Sequence, residues 1–228
     1  MASMEQKMGK AQGLTSRQKQ LLELVLQEPY IVNTFYLSGG TALSSWYLYH
    51  RESLDLDFFT SRSFDPDKIS VWLKTNQDII GYRQLHIDED FGFLTVTFRY
   101  FDDTFLKVDF HHYTNQKLKK GLMWRGLEID SIDDIAVNKL STIASFARTR
   151  DYVDLYFILQ KYPFSLYQLI AGVTKKFSQD IDPLQLTKNF LKVVEYTDFP
   201  KMLVRFKKQD MYNFYENLAR SLKNKILI

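Results

Sequence analysis

A chain of 228 residues with 45% hydrophobic and 25% charged residues can bury a core, and it has room for one large domain or a catalytic core joined to a second helical unit. The absence of cysteine excludes disulfides, thiolate zinc sites and cysteine nucleophiles, and it fits a reducing, cytoplasmic setting. No apolar run is long enough for a bilayer and Met1–Lys7 holds no signal-peptide core, so no membrane association is expected.

The formal net charge is only +3, yet residues 1–130 carry 15 Lys+Arg against 17 Asp+Glu while residues 131–228 carry 15 against 10. The basic excess of the C-terminal half suits nucleic acid or an acidic partner, or simply solvated helix faces. The 18 Phe and 14 Tyr are read first as core.

Residues 1–12 are expected to form a flexible leader. Thr15 and Ser16 precede good helix formers, predicting a first helix over 15–29 that stops at Pro29. The run Phe35-Tyr36-Leu37-Ser38, then Gly39-Gly40, then Thr41-Ala42-Leu43 predicts strand, tight turn and a helix ending near Arg51. Residues 54–60, Leu-Asp-Leu-Asp-Phe-Phe-Thr, alternate as a half-buried strand does. Leu54, Leu56 and Phe58 should then face a core, with Asp55 and Asp57 together on the other face. A helix follows Pro66, and β-rich segments follow at about 79–87, 91–100 and 104–111. From residue 131 the pattern turns helical, with segments at 131–147, 151–161, 165–178, 183–195 and 208–225. The expected organisation is therefore an α/β core over 13–130 and a helical C-terminal domain over 131–228.

Two carboxylates one residue apart are often a solvated face, but converging from one strand face they can bridge hard cations that also bind phosphate oxygens. The Gly39-Gly40 turn before a helix would let backbone N–H groups approach phosphate, with a hydroxyl added by Ser38 or Thr41. Standing alone it would more often be a plain strand-to-helix turn. In Phe105-Leu106-Lys107-Val108-Asp109-Phe110, Lys107, Asp109 and His111 share one face, so Asp109 could add a third carboxylate and permit a two-metal site. Other chemistries fit poorly. The four histidines include no helical His-x-x-x-His pair for zinc, and His111-His112 is read as a strand edge. Gly121 and Gly126 have P-loop spacing, but Leu127 replaces the lysine.

In order along the chain, Leu37-Ser38-Gly39-Gly40-Thr41-Ala42-Leu43, His50-Arg51-Glu52-Ser53-Leu54-Asp55-Leu56-Asp57-Phe58-Phe59, Lys139, and Arg148-Thr149-Arg150-Asp151-Tyr152-Val153-Asp154-Leu155 resemble the AbiEii/AbiGii toxin family of the polymerase-β-like nucleotidyltransferase superfamily. The resemblance implies an α+β fold, a mixed β-sheet core with flanking helices followed by a C-terminal helical region that contributes to the active site. It implies transfer of a nucleotidyl group from a nucleoside triphosphate with Mg2+, or alternatively Mn2+, to an acceptor such as RNA, tRNA in some relatives. It also implies a toxin role in toxin–antitoxin or phage-defence systems, with a cognate antitoxin as partner. By motif position, Ser38, Gly39, Gly40 and Thr41 would bind the triphosphate, Asp55 and Asp57 the metal together with Asp109, and Lys139 would neutralise phosphate charge. Asp151 or Asp154 would be the last acidic residue of the set, and Arg51 and Arg148 are further phosphate contacts or braces for Asp55 or a helix. The competing expectation is a non-catalytic nucleotide-binding or antitoxin-binding protein of the same fold. The presence of Asp55, Asp57 and Lys139 together favours the transferase.

Overall fold

A computed structural model describes residues 11–222, so most of the expected leader and the end of the last predicted helix lie outside the described residues. The chain divides into two compact units. The first holds residues up to Tyr47, then Ser53–Asn115 and Lys120–Ser131; the second holds Leu48–Glu52, Gln116–Lys119 and the residues from Ile132 onward. The architecture is α+β, and among the described residues no helix is long and apolar enough to cross a membrane.

The first unit opens with α1 (Ser16–Val25), whose start is fixed by a capping box. Gln18 N–H donates to Thr15 Oγ1 at 3.2 Å and Thr15 N–H to Gln18 Oε1 at 2.9 Å. The helix predicted to run to Pro29 ends earlier, at Val25. Pro29 does not end one but begins α2 (Pro29–Thr34), where Glu28 caps the Tyr30 N–H and proline occupies a first-turn position that needs no N–H partner. β1 (Tyr36–Ser38) runs directly into α3 (Gly39–Ala42), which continues as a π-helical turn over Leu43–Leu48. β2 (Leu56–Thr60) follows, then α4 (Pro66–Thr75), α5 (Gln77–Ile80), β3 (Tyr82–Asp90), β4 (Phe93–Tyr100) and β5 (Phe105–His112). A short hairpin, β6 (Leu122–Trp124) and β7 (Leu127–Ile129), completes the unit. Sequence reading missed it. Its two-residue turn, Arg125-Gly126, has positive φ at both positions, the backbone that hairpin turns require.

Among the described residues the seven strands form one mixed sheet in the order β3-β4-β5-β2-β1-β7-β6. β2 runs antiparallel to β1 and parallel to β5, which puts strands from distant parts of the sequence side by side at the sheet centre. Leu56, Phe58, Leu94, Val96, Val108 and Phe110 are buried on one face. Asp57, Thr95, Lys107 and Asp109 alternate with them onto the other.

The second unit is helical: α6 (Ile132–Ser145), α7 (Thr149–Lys161), α8 (Leu166–Phe177), α9 (Pro183–Leu191), a 3-10 turn over Lys192–Glu195 and α10 (Lys208–Ser221). α6 packs on α7, α8 and α9, and α9 packs on α10. Tyr152 and Tyr215 sit in this core with their hydroxyls satisfied. Tyr152 donates to the Asn189 carbonyl at 2.6 Å and Tyr215 to the Tyr152 carbonyl at 2.7 Å, which removes the cost of burying a phenol. Residues 50–52 join this unit through an antiparallel bridge between Arg51 and Met202, with Leu203 N–H donating to the His50 carbonyl at 2.9 Å.

Candidate active site

The centre of the site is a row of side chains across one sheet face. Ser38 pairs with Asp57, Asp57 with Asp109, and Asp109 with Thr95, each in register on neighbouring strands. Asp57 and Asp109 thus adjoin on β2 and β5, each on the face that its own strand's alternation predicts. Thr95 Oγ1 donates to Asp109 Oδ1 at 2.7 Å, and Lys107 Nζ to Asp109 Oδ2 at 2.5 Å.

Among the described residues, Asp57, Asp109 and His111 each offer a ligand atom, all within 4.8 Å of one another. Two carboxylates and one imidazole suit a divalent cation, and the imidazole widens the choice from Mg2+ toward Mn2+. Burial lowers the pKa of His111; the Asp109 charge works against this shift and Lys107 adds to it. At neutral pH the ring is therefore uncharged, the form that can ligate a metal. His111 is the residue that sequence reading set aside as strand edge. Its signal was the same alternation that selected Asp109.

Asp55 lies one residue before β2 rather than within it, and Leu54, expected in the core, is 59% exposed. The predicted strand began too early. The Asp55 backbone is nevertheless fixed, because its carbonyl accepts from the Thr41 hydroxyl at 2.5 Å. Gln18 Nε2 donates to the Ser53 carbonyl at 3.0 Å and ties the same segment to α1.

The glycine turn touches the carboxylate row. Gly39 has φ +71, a left-handed backbone that disfavours other residues, and a Cβ there would overlap Asp57 Oδ2 and fall 2.7 Å from its Cγ. The Ser38 hydroxyl is buried and donates to Asp130 Oδ2 at 2.6 Å. The protons of Ser38 and Thr41 are thus committed within the protein, leaving the backbone of the turn to meet a ligand.

The remaining predicted residues meet in the second unit as a buried charge network. Asp154, 0% exposed, accepts from Arg51 at both oxygens (Nε 2.6 Å, Nη2 2.8 Å). It also accepts from Lys139 Nζ at 2.7 Å and pairs with His50 Nε2 at 2.8 Å. Asp151 holds Lys139 Nζ at 2.8 Å, and its other oxygen accepts from the Arg148 backbone N–H and Nε, both at 3.2 Å, at the start of α7. Burial works to raise the Asp154 carboxyl, yet Arg51 and Lys139 outweigh it and hold that carboxyl well below the usual range. Asp151 is lowered in the same way, Lys139 and Arg148 overcoming burial. Burial pushes His50 down, against the pull of Asp154.

Residues 21–220 match the family described as "Nucleotidyl transferase AbiEii toxin, Type IV TA system". The chain is 28% identical over 216 residues to an uncharacterized protein of Aquifex aeolicus (strain VF5), covering 93% of this chain and 96% of that one. In fold it is similar to a solved putative nucleotidyltransferase from Helicobacter pylori, with TM-score 0.59 and 22% identity over 93% of this chain and 97% of the other. It is also similar to JHP933 from Helicobacter pylori, with TM-score 0.57 and 21% identity over 91% and 90%. The family match supports a nucleotidyltransferase-type reaction. On the length of that match, the chain belongs to the AbiEii family of nucleotidyltransferases.

Proposed function

We propose that this protein transfers a nucleotidyl group from a nucleoside triphosphate to an RNA acceptor, tRNA foremost, using Mg2+ or Mn2+. We further propose that it acts in the cytoplasm as the toxin of a toxin–antitoxin or phage-defence system with a cognate antitoxin protein. The observation that carries the reaction is the contact between Gly39 and Asp57, with Asp57 in register beside Asp109. A phosphate-approachable backbone and a pair of carboxylates then occupy one spot.

When bound, the cation supplies charge neutralisation on the triphosphate and lowers the pKa of the acceptor hydroxyl. Asp57, Asp109 and Asp55 are the proposed carboxylates around it, with His111 as a nitrogen ligand. The Gly39-Gly40 turn receives the β- and γ-phosphates through backbone N–H groups. Ser38 and Thr41 contribute by fixing that turn, through Asp130 and the Asp55 carbonyl. The acceptor oxygen attacks the α-phosphorus, its proton passes to solvent water, the bond from the α-phosphorus to the bridging oxygen breaks and pyrophosphate departs. Lys139, Arg51 and Arg148 enter as proposed cationic partners of phosphate through the family motif. Asp151 and Asp154 hold Lys139 in place, which suits a positioning role for both.

Labelled nucleoside triphosphates, Mg2+ and total RNA test the reaction. Label should enter RNA with the wild type and disappear with Asp57→Ala. No transfer from any of the common donors would favour a binding protein of the same fold.

A further inference from the structure

The sheet face that carries the carboxylates continues into a cluster of rings. Two residues beyond Asp57 and Asp109 stand Phe59 and His111, paired in register and on the same face. Tyr36 pairs with Phe59 from β1 and Phe93 with His111 from β4. Phe59 meets the edge of His111 at a centroid distance of 4.9 Å, and Phe93 meets it at 5.0 Å. Tyr113, just past β5, stacks on Phe59 at 5.1 Å with planes 21° apart.

Apart from Tyr36, which is buried, these rings are not sealed core. Phe59, His111 and Tyr113 are half-buried and Phe93 is 48% exposed, whereas Phe58 and Phe110, on the opposite face of the same strands, are fully buried. The sheet thus keeps a partly open aromatic surface about 7 Å along the strands from its carboxylates.

The direction matters. Because β1 is antiparallel to β2, with Ser38 opposite Asp57 and Tyr36 opposite Phe59, Gly39 and Gly40 lie on the other side of the carboxylate row from the rings. Along the face the order is glycine turn, carboxylates, rings. In an in-line displacement the attacking oxygen enters opposite the leaving group. Pyrophosphate departing at the glycine turn therefore requires the acceptor to arrive from the ring side.

We propose that Phe59, Tyr113 and Phe93, the first and last braced against the His111 ring, form a stacking platform for the terminal nucleobase of a single-stranded acceptor. The proposal rests on the transfer reaction at Asp57 and Asp109. A base offers a flat π-face that half-exposed rings bind without reading its identity, whereas a serine or threonine hydroxyl on a protein chain brings no such face. The platform would hold the acceptor's last hydroxyl toward the carboxylates.

The test measures binding of a short single-stranded RNA to the full chain with Mg2+, beside the same RNA lacking its 3′-terminal base. Wild type should bind the abasic RNA about tenfold more weakly. Phe59→Leu and Tyr113→Leu should bring the intact RNA toward the abasic value while a non-hydrolysable triphosphate binds as before. Phe93→Ala, at the exposed rim and without risk to the core, should also weaken only the intact RNA. Equal binding of the two RNAs by wild type, no binding of either, or full discrimination retained by all three variants overturns the platform. Failure of the triphosphate analogue to bind wild type would instead sink the transfer reaction, so the two failures read out separately.

Discussion

Gly39 lies so close against the Asp57 carboxylate that residue 39 has no room for a side chain, and its φ of +71 would strain one in any case. Gly39→Ala therefore combines a left-handed backbone cost of about 1–2 kcal/mol with displacement of the carboxylate proposed to hold the metal. We expect a lower urea midpoint and Mn2+ affinity weakened by about tenfold or more, a loss of about 1.4 kcal/mol. Titration of the variant with Mn2+ beside a denaturation curve checks both. If neither changes, the turn is not what holds Asp57.

Asp154 and Asp57 should respond oppositely to the loss of a charge. Asp154 is fully buried, and four contacts from Arg51, Lys139 and His50 depend on it. Asp154→Asn leaves two buried cations underpaired and should cost about 3–5 kcal/mol. Asp57 is half-buried beside Asp109, so Asp57→Asn removes one of two adjacent like charges. It should keep the wild-type melting temperature while abolishing metal binding. Equal stability of both variants would mean that the Asp154 network does not hold the second unit together.

The contrast between these two aspartates also marks what a sequence can disclose. Strand alternation alone puts Asp109 and His111 on a polar face, and the glycine pair marks the turn that Asp57 contacts. Alternation does not show where a strand starts, so it carried Leu54 and Asp55 into β2, which begins only at Leu56. Nor does it show which strands adjoin: the parallel pairing of β2 with β5 is a property of the sheet. Arg51 and Asp154 meet across 103 positions, and nothing local to either announces the other. The β6–β7 hairpin escaped notice because its strands have three residues each and its turn is Arg125-Gly126, not the Asn-Gly pair that usually signals a tight hairpin. Pro29 misled for a different reason, since the same residue type ends one helix and opens the next.

Acid should destabilise the second unit in two stages. His50 has a pKa lowered by burial, so below about pH 6.5, the value of an unperturbed histidine, the unfolded chain takes up a proton that the folded chain resists. Stability then falls with pH. Asp151 and Asp154 are also depressed. Their contribution is complete above the ordinary carboxylate range and is lost as pH drops from about 4 toward their folded values. Melting temperatures from pH 8 to pH 3 should show a shallow decline beginning near 6.5 and a steep one below about 4. His50→Gln should make the shallow segment shallower still, leaving the part that His111, also lowered by burial, contributes, and a flat wild-type curve between pH 7 and 5 would show that His50 titrates alike in both states.

Ser38→Ala separates holding the glycine turn from touching phosphate. The Ser38 hydroxyl has one proton, and that proton goes to Asp130 Oδ2 at 2.6 Å in a buried setting. Asp130 in turn orders its surroundings: its Oδ1 accepts the Ser131 N–H at 3.0 Å, and its carbonyl accepts the Tyr47 hydroxyl at 2.6 Å. Removing the hydroxyl costs a hydrogen bond to a carboxylate, about 1.5–3 kcal/mol, and the loss should appear as a lower melting temperature. Triphosphate affinity, if carried by the backbone N–H groups of the turn, should change less than threefold at temperatures where the variant is folded, roughly 0.6 kcal/mol. A drop in triphosphate affinity of about tenfold or more with little change in stability would place the hydroxyl itself on the phosphate and require the Ser38–Asp130 bond to open when nucleotide binds.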